Sequence, residues 1–206
     1  MPTLPTRTRV VLLLHQLEAN KTSNTGRLAL RCLPNSTYAL RGRFDPEGED
    51  ARLGPSAPET WLTSATNPLL LFPADDAEPL DALARAATTG APTQPFTLIV
   101  PDGTWSQASR ARKRVPGLAA IPCVRLPAEL VSTYRLRHDP RPGHLSTLQA
   151  IAHALAILEG QAVGDALLYV HQVAVERALY SKGRLAREEV TGGVPGAGPR
   201  RTKTTD

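Results

Sequence analysis

The tetrapeptide Asp102-Gly103-Thr104-Trp105 brings a carboxylate, a hydroxyl and an indole together within one turn of chain. It comes straight off the apolar run Phe96-Thr97-Leu98-Ile99-Val100-Pro101, so a buried strand ends where these groups begin. In an open α/β sheet, ligands sit at the carboxyl ends of strands, beside exposed amides and helix N-termini. A carboxylate in a sharp turn at that place is a candidate general base. The same residues also read as an Asp-Gly turn, a Thr cap and a core tryptophan.

Two further groups have a similar construction. His15-x-x-Glu18-x-x-Lys21-x-Ser23-Asn24-Thr25 crowds an imidazole, a carboxylate, an ammonium, an amide and a hydroxyl behind the first apolar run. One histidine and one acid at this loose spacing do not make a metal site. A solvated loop whose Asn24 or Thr25 caps the next helix accounts for them equally. The third group is Leu145-Ser146-Thr147-Leu148-Gln149-Ala150. Ser146-x-x-Gln149 is a capping box, and Leu148, Ile151, Ala152, Leu155 and Leu158 give its helix one packing face. Amides at a helix start also attract a carboxylate. Arg110, Arg112, Lys113 and Arg114 follow Trp105, and Arg135, Arg137 and Arg141 precede Ser146. Each cluster alone reads as a solvated face; converging on one sheet edge they form a footprint for a polyanion.

The elements that must position these groups alternate. Strands are expected at Val10–Leu14, Thr37–Leu40, Pro68–Pro73 and Phe96–Val100, and again at Leu118–Ile121 and Cys123–Leu126 around Pro122. Helices are expected at Thr25–Leu33 and from Ala74-Asp75-Asp76, with Leu80, Leu83 and Ala84 on one face. Others are expected at Thr104–Arg114, Leu145–Leu158 and Asp165–Leu179. Residues 15–24 read as a polar loop and 45–60 as a variable surface loop. From Glu188 to Asp206 the chain is Gly, Pro and charge, expected to form a flexible tail behind a single domain of residues 1–187. The alternation implies an α/β fold, a mostly parallel sheet with helices on both faces. There is no G-x-G-x-x-G and no Walker loop, which disfavours ordinary dinucleotide and triphosphate sites.

Bulk composition narrows the class. At 206 residues, 41 % hydrophobic and 21 % charged, the chain suits one globular domain. A formal net charge of +5 favours a polyanionic partner, while only 4 % aromatic content argues against gripping single strands by serial stacking. Cys32 and Cys123 are the only cysteines and lie far apart, which fits a reducing cytoplasm and no thiolate zinc site. The run Val10–Leu14 is too short to span a membrane. A cytoplasmic protein with no membrane partner is expected.

Read together, these segments resemble the DTW-domain family of tRNA-uridine aminocarboxypropyltransferases. The naming signature Asp-x-Thr-Trp stands at Asp102-Gly103-Thr104-Trp105, and the first-loop pattern at His15, Glu18, Asn24 and Thr25. The Leu-Phe-Pro pattern stands at Leu71-Phe72-Pro73, and the late Ser-Thr-x-Glu-Ala pattern at Ser146 to Ala150, with Gln149 in place of Glu. The chain also lacks the N-terminal cysteine cluster that many relatives carry.

The resemblance implies a SPOUT-like fold with a C-terminal trefoil knot, and a homodimer, as is common among such proteins. It implies transfer of the 3-amino-3-carboxypropyl group of S-adenosylmethionine to N3 of a uridine in tRNA, leaving 5′-methylthioadenosine, with no metal. By that resemblance Leu71, Phe72, Pro73, Pro101, Gly103, Leu145, Ser146 and Thr147 hold the cofactor. Asp102, Thr104 and Trp105 are the catalytic candidates, with Asp102 as base. His15, Glu18, Asn24, Thr25, Arg110, Lys113, Arg114, Arg135 and Arg137 meet the RNA. The rival readings are a SPOUT-type methyltransferase using the same cofactor, or a noncatalytic RNA-binding module with a degenerate pocket.

Overall fold

Val10 to Leu14 are all buried, and their side chains divide between two cores. Val10, Leu12 and Leu14 enter one, with Ala29, Leu148, Ile151, Leu155 and Leu167; Val11 and Leu13 enter the other, with Trp61, Ala111 and Leu118. A strand covered on both faces has no polar side to show, which is why this run is continuously apolar. The computed structural model describes residues 1–19, 21, 24–41, 58–89, 94–136 and 144–196. Its strands are β1 (Arg9–His15), β2 (Ser36–Arg41), β3 (Pro68–Leu71), β4 (Glu78–Pro79), β5 (Thr97–Asp102) and β6 (Cys123–Arg125). They form one sheet in the order β2-β1-β5-β3-β6-β4, and every described pair is parallel.

The helices are α1 (Gln16–Ala19), α2 (Thr25–Leu30), α3 (Pro58–Thr63), α4 (Leu80–Thr89), α5 (Trp105–Arg114), α6 (Thr147–Glu159) and α7 (Gln161–Ser181). Residues of α2, α6 and α7 close the first core, and Trp61 of α3 and Ala111 of α5 close the second. The expected α/β architecture with helices on both faces is therefore present. Because all strands run parallel, β1, β3, β5 and β6 deliver their carboxyl ends, and the residues that follow them, to one edge of the sheet.

Several expected boundaries are corrected. The loop after β1 contains the single turn α1, and α2 ends at Leu30 rather than Leu33. The helix expected from Ala74 starts only at Leu80, because Glu78 and Pro79 pair with Val124 and Arg125 at the sheet edge. Leu118–Ile121 is not a strand. Gly117 adopts φ 78° and starts a 3₁₀ turn over Leu118–Ala120 that drives Leu118 and Ile121 into the core. Pro122 lacks an N–H, but its carbonyl accepts from Leu70, so pairing begins there. The stretch from Glu188 is ordered at first. Val190 is buried, the Thr191 amide donates to Glu176 at 2.6 Å, and Arg177 donates to the carbonyls of Gly192 and Gly193. Most of the expected 45–60 loop, the segment from Arg137 to Gly143 and the end of the tail lie outside the described residues. Among the described residues no helix is long and apolar enough to cross a membrane.

Candidate functional site

Where β5 ends, Gly103 adopts φ 147°, and a Cβ there would lie 2.7 Å from Oε1 of Gln107. The backbone conformation calls for glycine, while the Gln107 side chain could move aside. Thr104 follows as the cap of α5: its hydroxyl accepts from the Gln107 amide at 3.3 Å, while its own amide donates to Gln107 Oε1 at 2.7 Å. The sequence Asp-Gly-Thr-Trp thus builds a strand stop, a tight bend and a helix start without spare residues. Trp105, the first helical residue, is left 45 % exposed. Its ring stacks on His144 at 4.4 Å and lies 5.4 Å from Phe72 after β3.

A second capping box starts α6. Ser146 Oγ accepts from the Gln149 amide at 3.2 Å, and the Ser146 amide donates to Gln149 Oε1 at 3.1 Å. Gln149 Oε1 also accepts from Ser132 Oγ, and its Nε2 donates to Thr133. Ser146 is 1 % exposed and sits 2.9 Å from Nε2 of His171, itself 2 % exposed. Burial pushes the His171 pKa down to about 4, so the imidazole is neutral at physiological pH.

Asp102 joins three loops. It is 5 % exposed, and Asn24 Nδ2 donates to its Oδ2 at 2.5 Å while the Thr147 hydroxyl donates to its Oδ1. Asn24 uses its other end to cap α2, accepting from the Arg27 amide at 2.9 Å. Thr25 Oγ1 accepts from the Leu148 amide. Gly26 permits this approach, since a Cβ there would lie 2.9 Å from Leu12 and 3.1 Å from Thr147. The loop after β1, the end of β5 and the start of α6 are therefore one hydrogen-bonded junction.

Arg41 supports the junction from β2, donating to the carbonyls of Asp102 and Leu13. Burial lowers its pKa, opposed by the nearby Asp102 carboxylate. His15 Nδ1 accepts from the Leu17 amide at 3.2 Å and lies 3.3 Å from Gln107 Nε2. A main-chain amide only donates, so the ring proton of neutral His15 belongs on Nε2. Burial, and then the Arg41 charge, lower the His15 pKa and favour that neutral form.

Two cavities open at this edge. The larger, about 430 Å³, is mainly apolar and is walled by residues that follow β3, β5 and β6 and precede α6. Of the expected cofactor loops, Leu71, Phe72, Pro73, Pro101, Gly103, Leu145 and Thr147 line it, together with Trp105. The smaller, about 310 Å³, is polar, and Glu18, Asn24, Thr25, Asp102 and Thr104 line it. Gly103 and Thr147 border both, so the two are neighbouring chambers of one cleft.

Some expected residues fall elsewhere. Ser146 lines the polar chamber and not the apolar one expected of it, because its hydroxyl turns inward to His171. His15 borders neither chamber and instead ties β1 to the α5 cap. Arg110, Lys113 and Arg114 are exposed on α5 and Arg135 is exposed, while Arg112 pairs with Asp76 at 2.6 Å. Arg137 and Arg141 lie outside the described residues.

Sequence reasoning missed His144 and Arg125 in the apolar chamber and Tyr134 and Lys182 in the polar one. Arg125 at the end of β6 had a usable signal, its position at a strand end. Lys182, beyond the end of α7, had none. Among the described residues no three His, Cys, Asp or Glu side chains gather where they could hold a metal ion.

The chain is 30 % identical over 154 residues to tRNA-uridine aminocarboxypropyltransferase 2 of Drosophila melanogaster, covering 74 % of this chain and 57 % of that protein. It is 31 % identical over 153 residues to the protein of the same name from Macaca fascicularis, covering 74 % and 48 %. The chain thus spans about half the length of the curated relatives it matches. In fold it is similar to the SAM-dependent rRNA:acp-transferase Tsr3 from Vulcanisaeta distributa, with a TM-score of 0.52, 16 % identity, and 90 % of this chain and 86 % of that one covered. The DTW domain family matches residues 1–179, which include all three strand-end loops. With that match the chain belongs to the DTW domain family.

Proposed function

We propose that this protein transfers the 3-amino-3-carboxypropyl group of S-adenosylmethionine to N3 of a uridine in tRNA, releasing 5′-methylthioadenosine. The observation that carries the reading is the pair of chambers, one apolar and one polar, meeting at Gly103 and Thr147 beside Asp102. The names borne by the relatives supply the transferred group and the acceptor class, and that of the fold neighbour the donor.

The residues of the apolar chamber fit an adenosyl donor. Its volume of about 430 Å³ falls within the roughly 300–1,000 Å³ of ligand sites, which are mostly apolar with few polar groups. Leu71, Phe72, Pro73, Pro101, Gly103, Leu145 and Thr147 would hold it, with Trp105 and His144 forming an aromatic wall. When bound, S-adenosylmethionine supplies a carbon activated by its sulfonium. The chain's part is to orient the acceptor and remove a proton. Uridine N3 is protonated and becomes a nucleophile only when that proton leaves. In this reading Asp102 takes it: each carboxylate oxygen keeps a lone pair beyond its bond from Asn24 or Thr147. The Thr104 and Thr147 hydroxyls border the same chamber and orient the uracil. Arg110, Lys113, Arg114 and Arg135 hold surrounding RNA phosphates.

The same reading includes a C-terminal trefoil knot. The family resemblance implies it. The reading also includes a cytoplasmic location, supported by two buried free thiols, and a homodimer, checked by light scattering of the purified chain.

The test is incubation of the protein with labelled S-adenosylmethionine and bulk tRNA. Methylthioadenosine and a modified uridine are expected; S-adenosylhomocysteine would instead mean methyl transfer, and no donor binding a noncatalytic module. Asp102→Asn should lower turnover by roughly 10²- to 10⁴-fold with donor affinity kept. Near-normal turnover would remove Asp102 as the base.

A further inference from the structure

The polar chamber is graded from floor to mouth. Asp102 lies at the buried end, Tyr134 is half-buried along the wall, and Lys182, just past the end of α7, is exposed. Tyr134 leans on the buried His171 at a ring separation of 5.6 Å, so its ring is backed by a rigid neighbour. Lys21 in the same chamber is neutralised by Glu18 at 2.7 Å. Lys182 has no carboxylate partner among the described residues. A hydrogen-bond acceptor at the floor, an aromatic ring at the side and a cation at the mouth match a base N–H, a base face and a phosphate. The volume of about 310 Å³ lies at the small end of ligand sites, suited to one nucleotide and not to a stacked run. Enzymes that modify a base commonly withdraw it from its stack into such a pocket.

We propose that the polar chamber receives a single extruded nucleotide of the RNA, its base against Tyr134, its N3 toward Asp102 and its phosphate at Lys182. This rests on the functional reading above and goes beyond it by assigning Tyr134 and Lys182 as acceptor-recognition residues. The competing anion for Lys182 is the carboxylate of the donor's own aminocarboxypropyl end.

The test uses the full chain, a fluorescent pentauridylate and an abasic pentamer of equal length, titrated across a salt series, with donor affinity measured separately by calorimetry. Lys182→Ala should weaken both oligomers by roughly five-fold. It should also shrink the slope of log K against log salt by about 0.7, the value of one phosphate on a single strand. S-adenosylmethionine affinity should stay within about two-fold, since Lys182 does not border the donor chamber. Tyr134→Ala should erase roughly ten-fold of the preference for pentauridylate over the abasic oligomer, the scale of one base stack, and Tyr134→Phe should retain it. Loss of donor affinity in Lys182→Ala, or wild-type binding by both alanine variants, overturns the assignment. Wild-type chain that forms methylthioadenosine while these variants bind normally would sink the chamber assignment alone. The expected binding signatures without any methylthioadenosine would sink the functional reading and leave the chamber standing.

Discussion

Helices α5 and α6 both start with a hydroxyl residue and a glutamine three positions on, yet one box lies at the rim and the other is buried. Around Thr104 the box is exposed, and Gln107 spends its remaining amide on His15. Around Ser146 every polar atom is engaged inside the protein: the hydroxyl with His171, and the Gln149 amide with Ser132 and Thr133. The first is a local device for starting a helix. The second joins α6, α7 and the segment behind β6. That difference also bears on why an amide suits position 149. Its Nε2 donates to Thr133 Oγ1, a bond that an acceptor-only carboxylate could not make without turning the hydroxyl round and burying a charge.

Acid should tell the two boxes apart most strongly, because only the buried one holds a histidine with a large shift. The His171 pKa is about 4 in the fold against about 6.5 unfolded. The unfolded chain therefore binds the extra proton first, and stability is full above pH 6.5 and falls between pH 6.5 and pH 4. The His171 share of the loss reaches about 3 kcal/mol, measured as the urea midpoint across that window, and His171→Gln should remove it, leaving the smaller slope of His15 and His153, whose pKa values burial also lowers. An unchanged slope in the variant would mean that the His171 imidazole is not what titrates.

Next comes Ser146→Ala. It strips the cap from the Gln149 amide and a partner from buried His171, costing roughly 2 kcal/mol by chemical denaturation. The smallest effect belongs to Thr104→Ala at the exposed box, about 1 kcal/mol or less. A Thr104 variant as destabilised as the Ser146 variant would break the distinction between rim and buried box.

Parts of this site were legible as chemistry in one dimension. Asp-Gly-Thr-Trp reads as strand end, bend and cap because each function is met by neighbouring residues, and Gly103 and Thr104 do what their types imply. The apolar runs at Val10 and Phe96 announced buried parallel strands for the same reason. Leu118–Ile121 misled, since a short apolar run does not distinguish a strand from a 3₁₀ turn that buries the same side chains. The tail from Glu188 misled because Val190 is a single apolar residue, and its burial depends on the distant Glu176 and Arg177.

By itself the sequence determined which segments become strands and helix starts, and which loops carry acids, hydroxyls and rings, because those depend on local pattern and capping. Only the tertiary structure decided what those groups face. It turned Ser146 inward to His171, tied Asp102 to Asn24 across 78 residues of chain, and brought Lys182 to the chamber mouth. Such pairings arise from crossovers in a parallel sheet, where residues remote in sequence are delivered to the same edge, and no local preference encodes them.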